Sequence, residues 1–117
     1  MKIYVSHLRK SDFQKELYEP LRESGIAEFI FPHENSEEPF NTLELFKHKG
    51  CDLVLAEVSS PSTGQGIELG WANILGIKII CVYRQGSEVS RSLKTICLDY
   101  IEYKDSNELI GKLKNIL

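Results

Sequence analysis

Short apolar runs rich in β-branched and aromatic residues alternate along this chain with stretches whose apolar positions recur every three or four residues. Lys2 to Ser6, Ala27 to Phe31, Cys51 to Val58, Ile77 to Tyr83 and Cys97 to Tyr103 read as five strands. Two of these, Cys51 to Val58 and Ile77 to Tyr83, are almost continuously apolar, as in a parallel sheet covered on both faces. Between the first two strands, Ser11 and Gln14 have capping-box spacing, and Phe13, Leu17 and Leu21 recur every four residues. The pattern predicts a helix there, kinked or shortened by Pro20 and ended by Gly25. Pro32 to Asn41 reads as a loop, Thr42 to Gly50 as a short helix, and Ile67 to Gly76 as a helix after a glycine-rich turn. A polar turn with a short helix follows Arg84, and at the end Leu109, Ile110, Leu113, Ile116 and Leu117 share one helical face.

Strict alternation of strand and helix implies an α/β fold: a three-layer, doubly wound, five-stranded parallel sheet with right-handed crossovers, flavodoxin-like or Rossmann-like. The expected crevice lies outside the carboxyl ends of the first and third strands, between Tyr4 to Arg9 and Glu57 to Gly66. A length of 117 residues suits one domain spanning 1–117. With 14 basic and 17 acidic residues interspersed, the net charge is −3, which argues against a nucleic acid polymer as partner. No apolar run approaches membrane-spanning length and no signal-peptide pattern follows Met1, so the expected place is the cytoplasm, with no membrane partner. The three cysteines, Cys51, Cys81 and Cys97, read as buried thiols, and no metal-ligand spacing is present.

The stretch "PSTGQGIELG", Pro61 to Gly70, carries the candidate chemistry. Its Gly64, Gly66 and Gly70 give G-x-G-x-x-x-G, one residue too long for a dinucleotide fingerprint, and they follow the third strand instead of the first. A pyrophosphate would also meet the carboxylate of Glu68, and the Gly-Lys-Ser/Thr of a P-loop is absent. The expectation is a backbone-accessible loop that delivers Glu68 into the first turn of a helix, where the positive dipole end favours the ionised form. The plainer alternative is a glutamate that only stabilises its helix.

The span Asp52 to Arg84, with "DLVLAEV" followed by "PSTGQGIELG", resembles the core of the nucleoside 2-deoxyribosyltransferase superfamily, especially its 2'-deoxynucleoside 5'-phosphate N-hydrolases. The resemblance implies that Glu68 attacks the anomeric carbon to form a covalent glycosyl intermediate, which water releases with retention. It places Glu44 where the family has an aspartate that protonates the departing base; the alternative is an exposed helix glutamate. Tyr4 matches the family's strand tyrosine, or else is a core aromatic. Ser62 stands where the hydrolases have a phosphate-binding serine and the transferases an aspartate, and the backbone from Thr63 through Gly64 to Gly66 would add N–H donors. A further serine, borrowed from the neighbouring subunit of a homodimer, corresponds to Ser92 or to Ser90.

One element of that pattern is missing. The hydrolases follow the tyrosine with a glycine-serine loop, whereas this chain has "YVSHLRKSD", in which Ser6, His7, Arg9 and Lys10 are the polar candidates and Arg9 is the best bidentate phosphate donor. The implied activity is hydrolysis of a (deoxy)nucleoside 5'-monophosphate to free base and sugar phosphate, with no metal or organic cofactor. Base exchange between deoxynucleosides and a catalytically weak nucleotide-sensing domain are the alternatives.

Overall fold

The computed structural model describes residues 1–8, 14–32, 40–97 and 99–117. Arg9, Lys10, Ser11, Phe13 and His33 therefore lie outside the described residues. Five strands, β1 (Lys2–Ser6), β2 (Glu28–Ile30), β3 (Leu53–Glu57), β4 (Lys78–Arg84) and β5 (Asp99–Tyr103), form one sheet in the order β2-β1-β3-β4-β5. Every neighbouring pair is parallel. This is the expected flavodoxin-like order, with β1 and β3 adjacent at its centre.

Three α-helices lie in the crossovers, α1 (Glu19–Ser24), α2 (Thr42–Lys47) and α3 (Thr63–Ile74), and a fourth, α4 (Ser106–Ile116), follows β5. Pro20 does not kink a long helix. A wide π-helical turn over Gln14–Tyr18 leads into α1, and Pro20 occupies the start of the regular helix, where no intrahelical N–H is needed. Gly25 ends it at φ +65°, in the left-handed region that favours glycine. The crossover from β4 to β5 holds only a 3-10 turn, Arg91–Thr95.

Alternation along the strands divides the interior into two cores. On one face Ile3, Val5, Leu55, Ile80 and Val82 meet Leu21 of α1 and Leu109 and Leu113 of α4. On the other, Tyr4, Val54, Ala56, Ile79 and Cys81 meet Phe46 of α2 and Leu69 and Ala72 of α3. The cysteines depart from the expectation of three thiols: Cys81 and Cys97 are joined by a disulfide, and Cys51 alone is a free, buried thiol. Adjacency of β4 to the segment entering β5 brings the pair together, a relation their spacing in the chain does not reveal. Among the described residues, no helix is long and apolar enough to cross a membrane.

Candidate active site

Side chains two residues apart on a strand share a face, so Tyr4 and Ser6 of β1 both point toward the layer of α2 and α3. The helix that meets them begins earlier than the sequence pattern suggested. Ser62 is the N-cap of α3 and accepts a hydrogen bond from the Gln65 backbone N–H at 3.4 Å, so Gly64 and Gly66 lie within the helix, not in a loop before it. Ser62 and Gln65 have capping-box spacing, which was a legible signal. Neither glycine has positive φ, and a Cβ on either would meet nothing within 4 Å. Their effect is to leave the outer surface of the first turns bare.

Glu68 consequently stands in the second turn of α3, past the reach of the helix-terminal field, and hydroxyl groups hold it instead. Its Oε1 accepts from the Tyr4 hydroxyl at 3.2 Å and, more weakly, from Thr42 Oγ1 at 3.5 Å. Ser6 Oγ donates to Oε2 at 3.0 Å. Tyr4 and Thr42 are also hydrogen-bonded to one another at 2.8 Å, which closes the cluster. Among the described residues no cation pairs with this carboxylate.

Burial raises the pKa of Glu68 above the ordinary carboxylate value, while the hydrogen bonds from Ser6, Tyr4 and Thr42 pull it down. The Tyr4 phenol is fully buried and is pushed far up, first by desolvation and then by the nearby Glu68 charge. It therefore stays protonated and remains a donor. A carboxylate held on both oxygens by neutral donors, at the carboxyl edge of β1, is oriented without being neutralised. That is what a nucleophile or base requires.

A cleft of about 540 Å³ lies along the N-terminal half of α3. Ser62, Thr63 and Gly66 line it on one wall, and Ser90, Ser92 and Thr95 on the other. Glu68 is not among the lining residues of this cleft, but Gly66 and Leu69, which flank it along α3, are. Among the described residues, no group of three or more His, Cys, Asp or Glu side chains converges to hold a metal ion.

No family model matches the chain. Over 86 residues, 74% of this chain, it is 35% identical to the 5-hydroxymethyl-dUMP N-hydrolase of Rattus norvegicus. Across the full length of both chains it superposes on CMP N-glycosidase BcmB of Clostridium botulinum, with a TM-score of 0.70 and 28% identity. In sequence and in fold the chain is similar to nucleotide N-hydrolases and 2-deoxyribosyltransferases. The 2-deoxyribosyltransferase of Bacillus psychrosaccharolyticus, matched over 95% of this chain and 91% of its own at a TM-score of 0.68 and 23% identity, shares the fold. The chain spans about half the length of the curated relatives it matches, 45% of the rat enzyme.

Two placements bear on the residues that the superfamily pattern suggests. The Glu44 side chain is half-exposed and contacts His48 at 3.2 Å and Lys47 at 3.9 Å along α2. The α2 residue that reaches Glu68 is Thr42, which is buried together with Phe46. The cause is helix phase, because residues two apart point about 200° away from each other. A buried pair four apart, Thr42 and Phe46, behind the N-cap Asn41 was the signal available in the sequence. The second is that Ser90 and Ser92 both line the Ser62 cleft.

Proposed function

We propose that this chain is a member of the nucleoside 2-deoxyribosyltransferase superfamily and hydrolyses the N-glycosidic bond of a (deoxy)nucleoside 5'-monophosphate. The observation that carries the reading is the carboxylate of Glu68, held by Tyr4, Thr42 and Ser6 at the carboxyl edge of β1. One Glu68 oxygen attacks C1' of the sugar as the C1'–N bond breaks, and the base leaves with the bonding pair and takes a proton from water. The hydroxide so formed adds to C1', the ester to Glu68 breaks with its electron pair returning to the carboxylate, and sugar 5-phosphate departs with retained configuration. A 2-deoxy sugar favours this route, since no 2'-hydroxyl withdraws charge from the oxocarbenium-like transition state. The names of the rat and Clostridium relatives describe the same class of bond cleavage.

The 5'-phosphate is assigned to the Ser62 side of the α3 N-terminus. There the hydroxyl and the first-turn N–H groups of Thr63 and Gly64 offer neutral donors at the positive end of a 12-residue helix. Ser90 and Ser92 line the same cleft. The test is to incubate the protein with deoxynucleoside and ribonucleoside monophosphates and with the free nucleosides, with and without an acceptor base, and to chromatograph the products. Free base from monophosphates is expected, and Ser62→Ala should raise KM for them by about tenfold, the worth of one hydrogen bond to a charged group. Base exchange in place of hydrolysis, or binding without turnover, would overturn the assignment.

We further propose that the chain works as a homodimer joined through α3. Ile67 and Ile74, seven residues apart on this helix, are 50% and 84% exposed, and Leu75 at its C-terminal cap is 41% exposed. The helix carries no charged residue except Glu68, which is turned inward. An outward apolar stripe on an almost uncharged helix suits a self-complementary two-fold contact. Sedimentation should show a dimer, and Ile74→Glu a monomer with the fold kept; an unchanged mass in the variant would remove this interface.

A further inference from the structure

A second hydrogen-bonded network, on the opposite face of the sheet from Glu68, ties down the turn that leads from β3 into α3. Glu57 is the last residue of β3, and its Oε1 accepts the backbone N–H of Ser59 at 2.7 Å. Its Oε2 accepts the hydroxyl of Tyr103, the last residue of β5, which reaches back across the end of β4. The Glu57 backbone carbonyl accepts Gln65 Nε2 at 2.8 Å, from a side chain that is itself buried in the first turn of α3. Ser59 Oγ accepts the Arg84 backbone N–H at 2.8 Å, and the Val58 N–H donates to Val82 at 2.9 Å. Arg84 in turn lies over the Tyr103 ring and is paired with Glu16 at 2.6 Å.

A simple loop cap would need only the Glu57 to Ser59 bond. Here the same carboxylate is also anchored from β5, and the backbone beside it from α3. The segment that ends at Ser62 is thus referenced to three elements at once. Resting on the nucleotide hydrolase reading above, we propose that Glu57 and Tyr103 are positioning residues that set the height of the Ser59 to Ser62 turn and thereby the hydroxyl that receives the 5'-phosphate. They touch neither the sugar nor the reacting bond. Their loss should be felt in recognition of the phosphate and not in the chemical step at Glu68, which is held separately by β1 and α2.

The test compares wild type, Tyr103→Phe, Glu57→Gln and Glu57→Ala, using 2'-deoxyuridine 5'-monophosphate and free 2'-deoxyuridine as probes. Affinity is read by calorimetry, turnover by base release, and loop closure by exchange of the Ser59 amide proton. Tyr103→Phe should weaken the monophosphate about tenfold in both KM and Kd, the worth of one charge-assisted hydrogen bond. Its kcat and its handling of the free nucleoside should stay at the wild-type level, and Ser59 exchange should quicken. Glu57→Gln, which can still accept from Ser59, should recover most of what Glu57→Ala loses. Equal losses on both probes, or unchanged monophosphate affinity with a freed Ser59 amide, would overturn the proposal. If the wild type binds the monophosphate without cleaving it, the hydrolase reading fails while a weakened Kd in Tyr103→Phe still supports the clamp. No binding by the wild type sinks both.

Discussion

Replacing Glu68 by alanine should remove base release, with a loss on the order of 10³-fold or more, because no other described group stands where a covalent intermediate could form. Glu68→Gln should be as inactive, since the amide keeps the shape but is no longer a nucleophile. Residual turnover close to wild type in either variant would end the proposed mechanism. The two states of this carboxylate also set a pH dependence of definite sign. Burial raises the folded-state pKa above the ordinary value of 4.5 despite the three hydroxyl donors. Between pH 4.5 and that raised value the folded protein holds a proton that the unfolded chain has released. The stability contributed by protonated Glu68 is therefore fully present below pH 4.5 and is lost as pH rises through the folded pKa. Activity needs the ionised form and should rise over that same window. Thermal melts across it should show wild-type stability falling relative to Glu68→Gln, which lacks the titration and should be at least as stable near neutrality. A parallel pair of stability profiles would contradict this account.

Tyr4→Phe should lower kcat by about 10²-fold, with the ring still packed edge-on against Phe46. The substitution takes a donor from Glu68 Oε1 and leaves the buried Thr42 hydroxyl with one partner fewer. The net loss of a hydrogen bond costs about 0.5–1.5 kcal/mol, so a modest fall in Tm should accompany the kinetic loss. Because the Tyr4 bond lowers the Glu68 pKa, its removal should move the acid limb of the pH–rate profile to higher pH. Tyr4 itself should contribute no basic limb, since its phenol stays protonated through the working range. The paired readout separates orientation of the nucleophile from general loosening of the core. Lower kcat with an unmoved acid limb would mean that Tyr4 serves only as packing.

Much of this arrangement could be read along the chain because it depends on near neighbours. The period of two in β1 puts Tyr4 and Ser6 on one face, and the alternation of strand and helix sets β1 beside β3. The acid within "PSTGQGIELG" was visible as the residue a phosphate site would not choose. The start of α3 was misplaced because glycines suggested a loop, although Ser62 and Gln65 already had the spacing of a cap.

Only the tertiary structure decided which side chains complete the site. Thr42 meets Glu68 because the Asn41 cap and the burial of Phe46 set the phase of α2, and each residue along a helix turns a side chain by about 100°. Glu57 meets Tyr103, and Cys81 meets Cys97, through strand neighbours far apart in sequence. Caps, periods and turns are interactions among adjacent residues, so the sequence determined the order of elements and the identity of the candidate nucleophile. The hydroxyls that hold it arrive from two other elements, β1 and α2, and their meeting depends on helix phase and sheet order, which packing of the whole core selects.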